Sequence, residues 1–175
     1  MPFRSDAKTM SGPAKAAACG VLTALALIFS YVEFLIPLPI AIPGIKLGLA
    51  NIVCLVCLYV LGEKYAFLIN CTRIALAALL FGSLFSALYA LAGGLVSFAV
   101  MALLKRTKLF SVCGVSMAGG VFHNMAQLTV AAFLVETAQV IYYFPVLLLS
   151  GMVTGIGIGI LGTLILRSIA PQTLK

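Results

Sequence analysis

The segment from Gly82 to Leu104 carries no charged residue. As a helix it is long enough to cross the hydrocarbon core of a bilayer, which is about 30 Å thick. Similar apolar segments recur along the chain, which is 63% hydrophobic and only 9% charged. They are continuous rather than alternating between apolar and polar residues, which argues against a membrane β-barrel. The sequence therefore predicts an all-α, polytopic membrane protein.

Prolines, glycines and charges divide the chain into six predicted transmembrane helices. Pro37, Pro39 and Pro43 end the first helix, because proline lacks an amide donor and disfavours helix in the residue before it. The predicted helices cover about residues 14–35, 46–61 and 65–80, a fourth that ends at Leu104, and then residues 111–135 and 142–166. Together they form one predicted transmembrane domain over residues 14–168, with tails at 1–13 and 169–175.

Basic residues cluster on one side of this six-helix arrangement. They are Arg4, Lys8, Lys15, Lys64, Lys105, Arg106, Lys108, Arg167 and Lys175. The opposite side holds Glu33, Lys46 and Glu136. By the positive-inside rule, we expect both termini to be cytoplasmic and the protein to span a bacterial plasma membrane. The same clustering accounts for the net charge of +7 without a nucleic acid as partner.

Arg73 lies near mid-depth in an otherwise apolar segment. A charge there costs about 2.5–3.5 kcal/mol on insertion scales, and such residues usually face a protein interior or a watery cavity. Further polar residues fall at this depth or nearer the outer side, and the predicted substrate-binding residues are Glu33, Lys46, Asn51, Asn70, Arg73, His123, Asn124 and Gln127. Because arginine and lysine recognise carboxylate and phosphate groups, this set predicts an outward-facing pocket for an anionic, partly apolar small molecule.

The same residues have a purely structural interpretation. Arg73 and Glu33 can form an ion pair between helices, while Lys46 extends to the membrane surface. His123 alone is more often a hydrogen-bonding residue between helices than a ligand-binding one. Composition does not decide between these interpretations.

Autonomous catalysis is not expected, because the motifs that it requires are missing. Asp6 is the one aspartate, so the aspartate-rich Mg²⁺ sites of prenyl transfer are absent, and no G-x-x-x-x-G-K-[ST] phosphate loop occurs. Cys54-x-x-Cys57 has no second pair and His123 is the one histidine, so we expect neither a metal nor a cofactor. The glycine series 151, 155 and 159 predicts close helix contacts, and Ala14 and Ala18 offer a surface for a partner helix.

Several of these features together resemble a known family. They are Glu33 before the proline loop, the stretch PGIKLGLANI (43–52), Arg73, the Gly93-Gly94 pair, and His123 and Asn124 with Gln127. This combination resembles the Gx transporter family, also labelled heptaprenyl diphosphate synthase component I. That family is similar in size and topology to the S-components of energy-coupling-factor (ECF) transporters. The resemblance implies an S-component-like six-helix bundle with a pocket near the outer face, in which Ala14 and Ala18 contact a transmembrane coupling subunit that works with two ATPases.

Three functions follow as hypotheses. The first is a membrane transport component that binds an anionic or amphipathic small molecule, related by family association to isoprenoids, quinones or flavins. The second is a non-catalytic membrane subunit of a polyprenyl (heptaprenyl) diphosphate synthase. The third is a membrane subunit that supports quinone- or flavin-linked electron transfer, with any redox cofactor held by a partner. Membrane lipid is a further expected partner of the chain, and nucleic acid is not.

Overall fold

A computed structural model describes residues 11–36, 48–135 and 142–171. Within these ranges the chain forms six α-helices and no strand, which confirms the predicted all-helical fold class. They are α1 (Gly12–Leu35), α2 (Leu49–Val60), α3 (Glu63–Leu80), α4 (Leu84–Thr107), α5 (Val112–Val135) and α6 (Phe144–Ile169). Among them α1, α4 and α6 are long and apolar enough to cross a membrane, as expected of a membrane protein.

The helix limits follow local sequence signals. Pro13 lies in the first turn of α1, where its missing N–H has no partner to lose, and α1 ends just before Pro37. The expected turn at residues 62–64 is shorter than predicted, because Glu63 opens α3, where a carboxylate complements the positive helix terminus. Likewise, α4 continues past the predicted end at Leu104 to Thr107, with basic side chains in its last turn.

Helices α1, α3, α4, α5 and α6 pack as successive neighbours, and α2 lies between α1, α3 and α6. Each of the pairs α1–α3, α3–α4, α4–α5 and α5–α6 is in contact, and α2 touches α1, α3 and α6. Residues 52–58 of α2 are all buried, as in a helix that is apolar on every side. With 12 residues, α2 is about 18 Å long, well short of a bilayer core. Lys46, which opens the predicted second span, lies outside the described residues.

Charged side chains from neighbouring helices hold both ends of α2. At its start, Glu33 of α1 accepts hydrogen bonds from the backbone N–H groups of Gly48 and Leu49, the second at 3.1 Å. At its end, the Lys105 ammonium of α4 donates to the Leu58 carbonyl oxygen at 2.5 Å. A carboxylate at the N-terminus and a cation at the C-terminus satisfy unpaired backbone groups and complement the helix dipole.

Gly48 is required at the start of α2 for two reasons. Its φ of +74° is a left-handed conformation that favours glycine, and a Cβ there would lie 2.7 Å from Ile158 Cδ1 of α6. The absence of a side chain therefore lets α2 begin directly beneath Glu33 and against α6.

The buried apolar cluster occupies one half of the bundle. Arg106 of α4 pairs with Glu63 of α3, and Lys105 contacts α2, so the C-terminal ends of α2 and α4 lie beside the N-terminal end of α3. Hydrogen bonding from Arg106 lowers the pKa of the Glu63 carboxyl. Most residues of the buried apolar cluster come from this end of their helices. The cluster consists of residues 52–58, 66, 69, 98, 101, 102, 112, 115, 158 and 166, together with Ala26 in the C-terminal half of α1. The predicted ligand-binding residues of α3 and α5 lie further along these helices from this end of the bundle.

Glycines bring α5 and α6 into backbone contact, as the glycine series predicts. A Cβ on Gly155 would lie 2.7 Å from Met117 Cα, and one on Gly159 would lie 2.6 Å from Cys113 Cα. Backbone atoms cannot move aside as a flexible side chain can, so these positions fix the separation of the two helices.

We expect Gly155→Ala to destabilise the protein by about 1–3 kcal/mol, because the added methyl group overlaps backbone atoms of α5. The matched control is Gly157→Ala on the same helix, where a Cβ meets nothing within 4 Å and alanine favours the helix. Thermal unfolding in detergent, followed by circular dichroism, compares the two. Equal melting temperatures for the two variants would contradict this packing.

We expect Lys105→Met to lower the free energy of unfolding by about 1–2 kcal/mol, because it removes the hydrogen bond to α2 and the ammonium that lies 5.3 Å from the centre of the Tyr59 ring. Lys108→Met is the control, since Lys108 is an exposed base just beyond the same helix. Denaturation of both variants under the same conditions tests this. Equal losses of stability would show that Lys105 does not hold the end of α2.

Candidate functional site

Arg73 is held by two neutral oxygen atoms from α1 and α3. Its Nη1 donates to the Ser30 hydroxyl at 3.3 Å, and its Nη2 donates to Asn70 Oδ1 at 2.8 Å. Asn70 is in turn fixed, since it is only 2% exposed and its amide donates to the Gly94 carbonyl oxygen of α4 at 3.1 Å. One chain of hydrogen bonds thus runs from α1 through α3 to α4, and it sets the orientation of the guanidinium.

The structural ion pair considered from the sequence does not form. Glu33 bonds to the start of α2, and the one ion pair in the described ranges is Arg106–Glu63. Arg73 therefore has no carboxylate within 4 Å among the described residues. Its Nε is buried and has no hydrogen-bond partner there. A partly buried cation with a buried, unused N–H group is an arrangement that costs free energy until an anion or a hydrogen-bond acceptor meets it.

The Gly93-Gly94 pair of α4 allows polar residues to approach from two sides. A Cβ on Gly94 would lie 2.6 Å from Ile74 Cδ1 and 3.3 Å from Asn70 Nδ2 of α3. On the adjacent position, a Cβ on Gly93 would lie 2.8 Å from the His123 ring and 3.0 Å from Gln127 Cγ of α5. Any larger residue at either position would displace the polar side chains beside it.

Gln127 is the second buried polar group with an unused atom. The residue is 6% exposed, and its Oε1 is buried without a hydrogen-bond partner among the described residues. His123, one helical turn away, lies against the same glycine, Gly93. The glycine pair of α4 therefore has Asn70 of α3, which binds Arg73, on one side and His123 and Gln127 of α5 on the other.

Asn124 faces α6 and not the glycine pair of α4. Its amide donates to the Leu147 carbonyl oxygen at 2.7 Å and to the Ser150 hydroxyl at 3.1 Å, both on α6. Successive helical residues point about 100° apart, so Asn124 and His123 reach different neighbours. The structure thus places Asn124 at the contact between α5 and α6, separate from Arg73, and a role in ligand binding stays a prediction for it.

Two further predicted site residues, Asn51 and Lys46, lie at or near the start of the predicted second helix. Asn51 lies in the first turn of α2, with its Nδ2 3.5 Å from the Cβ position of Gly48. This places Asn51 close to the carboxylate of Glu33, which binds the Gly48 amide. Lys46 lies outside the described residues, and its role stays a prediction.

The predicted partner-contact residues Ala14 and Ala18 are partly buried on α1. The exposed side of this helix carries other small residues, Ala17, Gly20 and Ala24, and a Cβ on Gly20 would meet nothing within 4 Å. Contact of Ala14 and Ala18 with another chain stays a prediction.

Sequence reasoning missed Ser30 and the Gly94 carbonyl group. Ser30 precedes Glu33 by three residues, so it shares a helix face with a residue already selected, and this spacing could have found it. The role of the Gly94 carbonyl left no signal in the sequence, because every residue carries that group.

The site offers binding chemistry. In the described part of the chain, no group of three or more histidine, cysteine, aspartate or glutamate residues can hold a metal ion. Cys54 and Cys57 of the CxxC motif are buried apolar packing residues of α2. What the helices assemble is a positioned guanidinium, a carboxamide oxygen and an imidazole, groups that recognise an anion by charge and hydrogen bonds.

A comparison with protein-family models matches residues 22–165 to a family described as "Heptaprenyl diphosphate synthase component I". The match covers every helix named above except the ends of α1 and α6. Neither a curated protein nor a solved structure matches the chain. Since the family match extends over most of the chain and includes Glu33, Arg73 and Gln127, the protein belongs to the heptaprenyl diphosphate synthase component I family.

Proposed function

We propose that this protein is the substrate-binding component of a membrane transport system, and that it binds an anionic, partly apolar small molecule at Arg73. Because no catalytic motif was found in its sequence, the protein is proposed to bind and release its substrate unchanged. The observation that carries this proposal is the guanidinium of Arg73, which has a buried, unused N–H group and no carboxylate partner in the described residues.

The arrangement of Arg73 supports binding over a purely structural role. A structural arginine in an apolar bundle would be expected to pair with the nearest carboxylate, since an uncompensated buried charge is strongly destabilising. The carboxylate of Glu33 is present on the same helix as Ser30, yet it bonds to the start of α2. An anionic ligand would supply the missing negative charge and the missing acceptor together.

The division of the bundle supports the predicted depth of the site. The buried apolar cluster lies at the end where the basic residues Lys105 and Arg106 are found, which the positive-inside rule assigns to the cytoplasm. Arg73 and Gln127 follow Glu63 and Val112 along helices that start at that end. In the proposed topology all six helices contribute to the membrane domain, both termini are cytoplasmic, and the ligand enters from the outer side.

The sequence contains no ATPase motif, so the energy for transport would come from a gradient or from a partner. We propose an ECF-type coupling subunit with ATPases as the partner, and the prediction for its contact with this chain is Ala14 and Ala18 on α1. The family resemblance stated from the sequence supports this part of the proposal.

We expect Arg73→Met to weaken ligand binding at least about 30-fold, because it removes about 2 kcal/mol or more of charge-assisted hydrogen bonding. Arg106→Met is the matched control, since Arg106 is an exposed arginine that pairs with Glu63. Native mass spectrometry of gently extracted protein measures the small anion that remains bound to each variant.

The proposal requires the wild type and Arg106→Met to carry the same bound anion and Arg73→Met to lose it while still melting cooperatively. Wild-type protein that carries no small anion, or Arg73→Met protein that retains it fully, would contradict the proposed pocket.

The family name supports a second candidate function. It describes a component of heptaprenyl diphosphate synthase, and a chain without aspartate-rich motifs could serve such an enzyme as a non-catalytic membrane subunit. This candidate predicts that a soluble prenyl synthase co-purifies with the protein and that deleting the protein changes the length of the prenyl product. Product analysis in deletion strains tests it, and unchanged product length together with no co-purifying synthase would rule it out.

A further inference from the structure

Two buried polar atoms near the Gly93-Gly94 pair have no partner among the described residues, and they are of opposite kinds. Arg73 Nε is a donor, and Gln127 Oε1 is an acceptor. Most buried polar atoms in folded proteins are hydrogen-bonded, so each such atom requires an explanation. An anion alone would satisfy Arg73 and leave Gln127 unchanged.

Both groups pack beside the same turn of α4, on faces about 100° apart, so only a ligand that spans this turn would reach both. Asn70, which binds Arg73 Nη2, lies against Gly94, and Gln127 lies against Gly93. Gly93 and Gly94 are successive residues, with Cα atoms about 3.8 Å apart. Neither glycine carries a side chain that would separate the two groups.

The position of Gln127 is not explained by packing between helices. Its neighbour Asn124 shows how α5 uses a buried amide for that purpose, with two hydrogen bonds to α6. The Gln127 carboxamide oxygen has no comparable bond in the described ranges, although the residue is 6% exposed. A buried acceptor left unsatisfied lowers stability, and such costs are typical of binding sites.

We propose that the molecule bound at Arg73 is an anion that also carries an O–H or N–H donor, and that Gln127 Oε1 accepts a hydrogen bond from this donor. This inference rests on the proposed function and adds the second recognition element to it. Arg73 selects the negative group, and Gln127 is the residue that determines specificity between ligands of the same charge. A site built to receive a donor strongly rejects an analogue that lacks it.

The test uses a defined mixture of aromatic carboxylates and phosphate monoesters as the probe. Each compound with a hydroxyl or N–H donor is paired with its O-methyl or N-methyl derivative. Wild-type protein in lipid nanodiscs is equilibrated with the mixture, and native mass spectrometry measures which members are bound. We expect the unmethylated member of a bound pair to be preferred at least about ten-fold.

The discriminating variant is Gln127→Met, which keeps a side chain of similar length and removes the acceptor. We expect it to bind both members of the pair within about two-fold of each other, and to melt at or above the wild-type temperature, because an unsatisfied buried acceptor is gone. Thr129→Val is the control on the same helix, since the Thr129 hydroxyl is exposed and bonds to the Met125 carbonyl oxygen. It should keep the preference of the wild type.

Each outcome decides the inference. Equal binding of both members by the wild type, or an undiminished preference in Gln127→Met, would overturn the role of Gln127 and leave the anion site intact. The second result would show that the methyl group is rejected by size alone. If the wild type binds no member of the mixture, this inference fails. If it also carries no anion of its own, the proposed function fails with it.

Discussion

A short helix with a fully buried middle places the strongest constraint on this bundle. α2 has 12 residues, residues 52–58 are all buried, and the partly buried ends carry N–H and C=O groups that the short helix itself leaves unpaired. Unpaired backbone groups in such surroundings cost several kcal/mol each in lipid-like media. Glu33 of α1 satisfies two N–H groups at one end, and Lys105 of α4 satisfies a carbonyl group at the other. The central helix thus depends on charges that belong to its neighbours.

This use of Glu33 determines the state of Arg73. Since the carboxylate bonds to the start of α2, the guanidinium is positioned by the neutral oxygens of Ser30 and Asn70, and the proposed ligand would supply its counter-charge. The glycine pair of α4 then allows the His123 and Gln127 side chains to approach the same region. In the proposed function, the stability of the central helix and ligand binding would be linked through this one carboxylate.

The sequence predicted the helices well and the contacts between them poorly. Apolar runs, prolines and charges located all six helices, with ends that differ by three residues or fewer. The depth of each polar residue in the membrane stays a prediction, which rests on the fixed rise per residue of a helix. The direction in which a side chain points around its helix was not predictable, since Asn124 and Gln127 turn to α6 and α4 according to which neighbour packs there. The bond from Glu33 to α2 was equally hidden, because its donors are backbone groups that no residue type reveals.

Glu33 holds the start of α2 and is not the ion-pair partner of Arg73. Hydrogen–deuterium exchange at the Gly48 and Leu49 amides tests this most directly, because those amides donate to the Glu33 carboxylate. The account predicts slow exchange in the wild type and in Arg73→Met, and fast exchange in Glu33→Ala. Slow exchange in Glu33→Ala, or fast exchange in Arg73→Met, would contradict it.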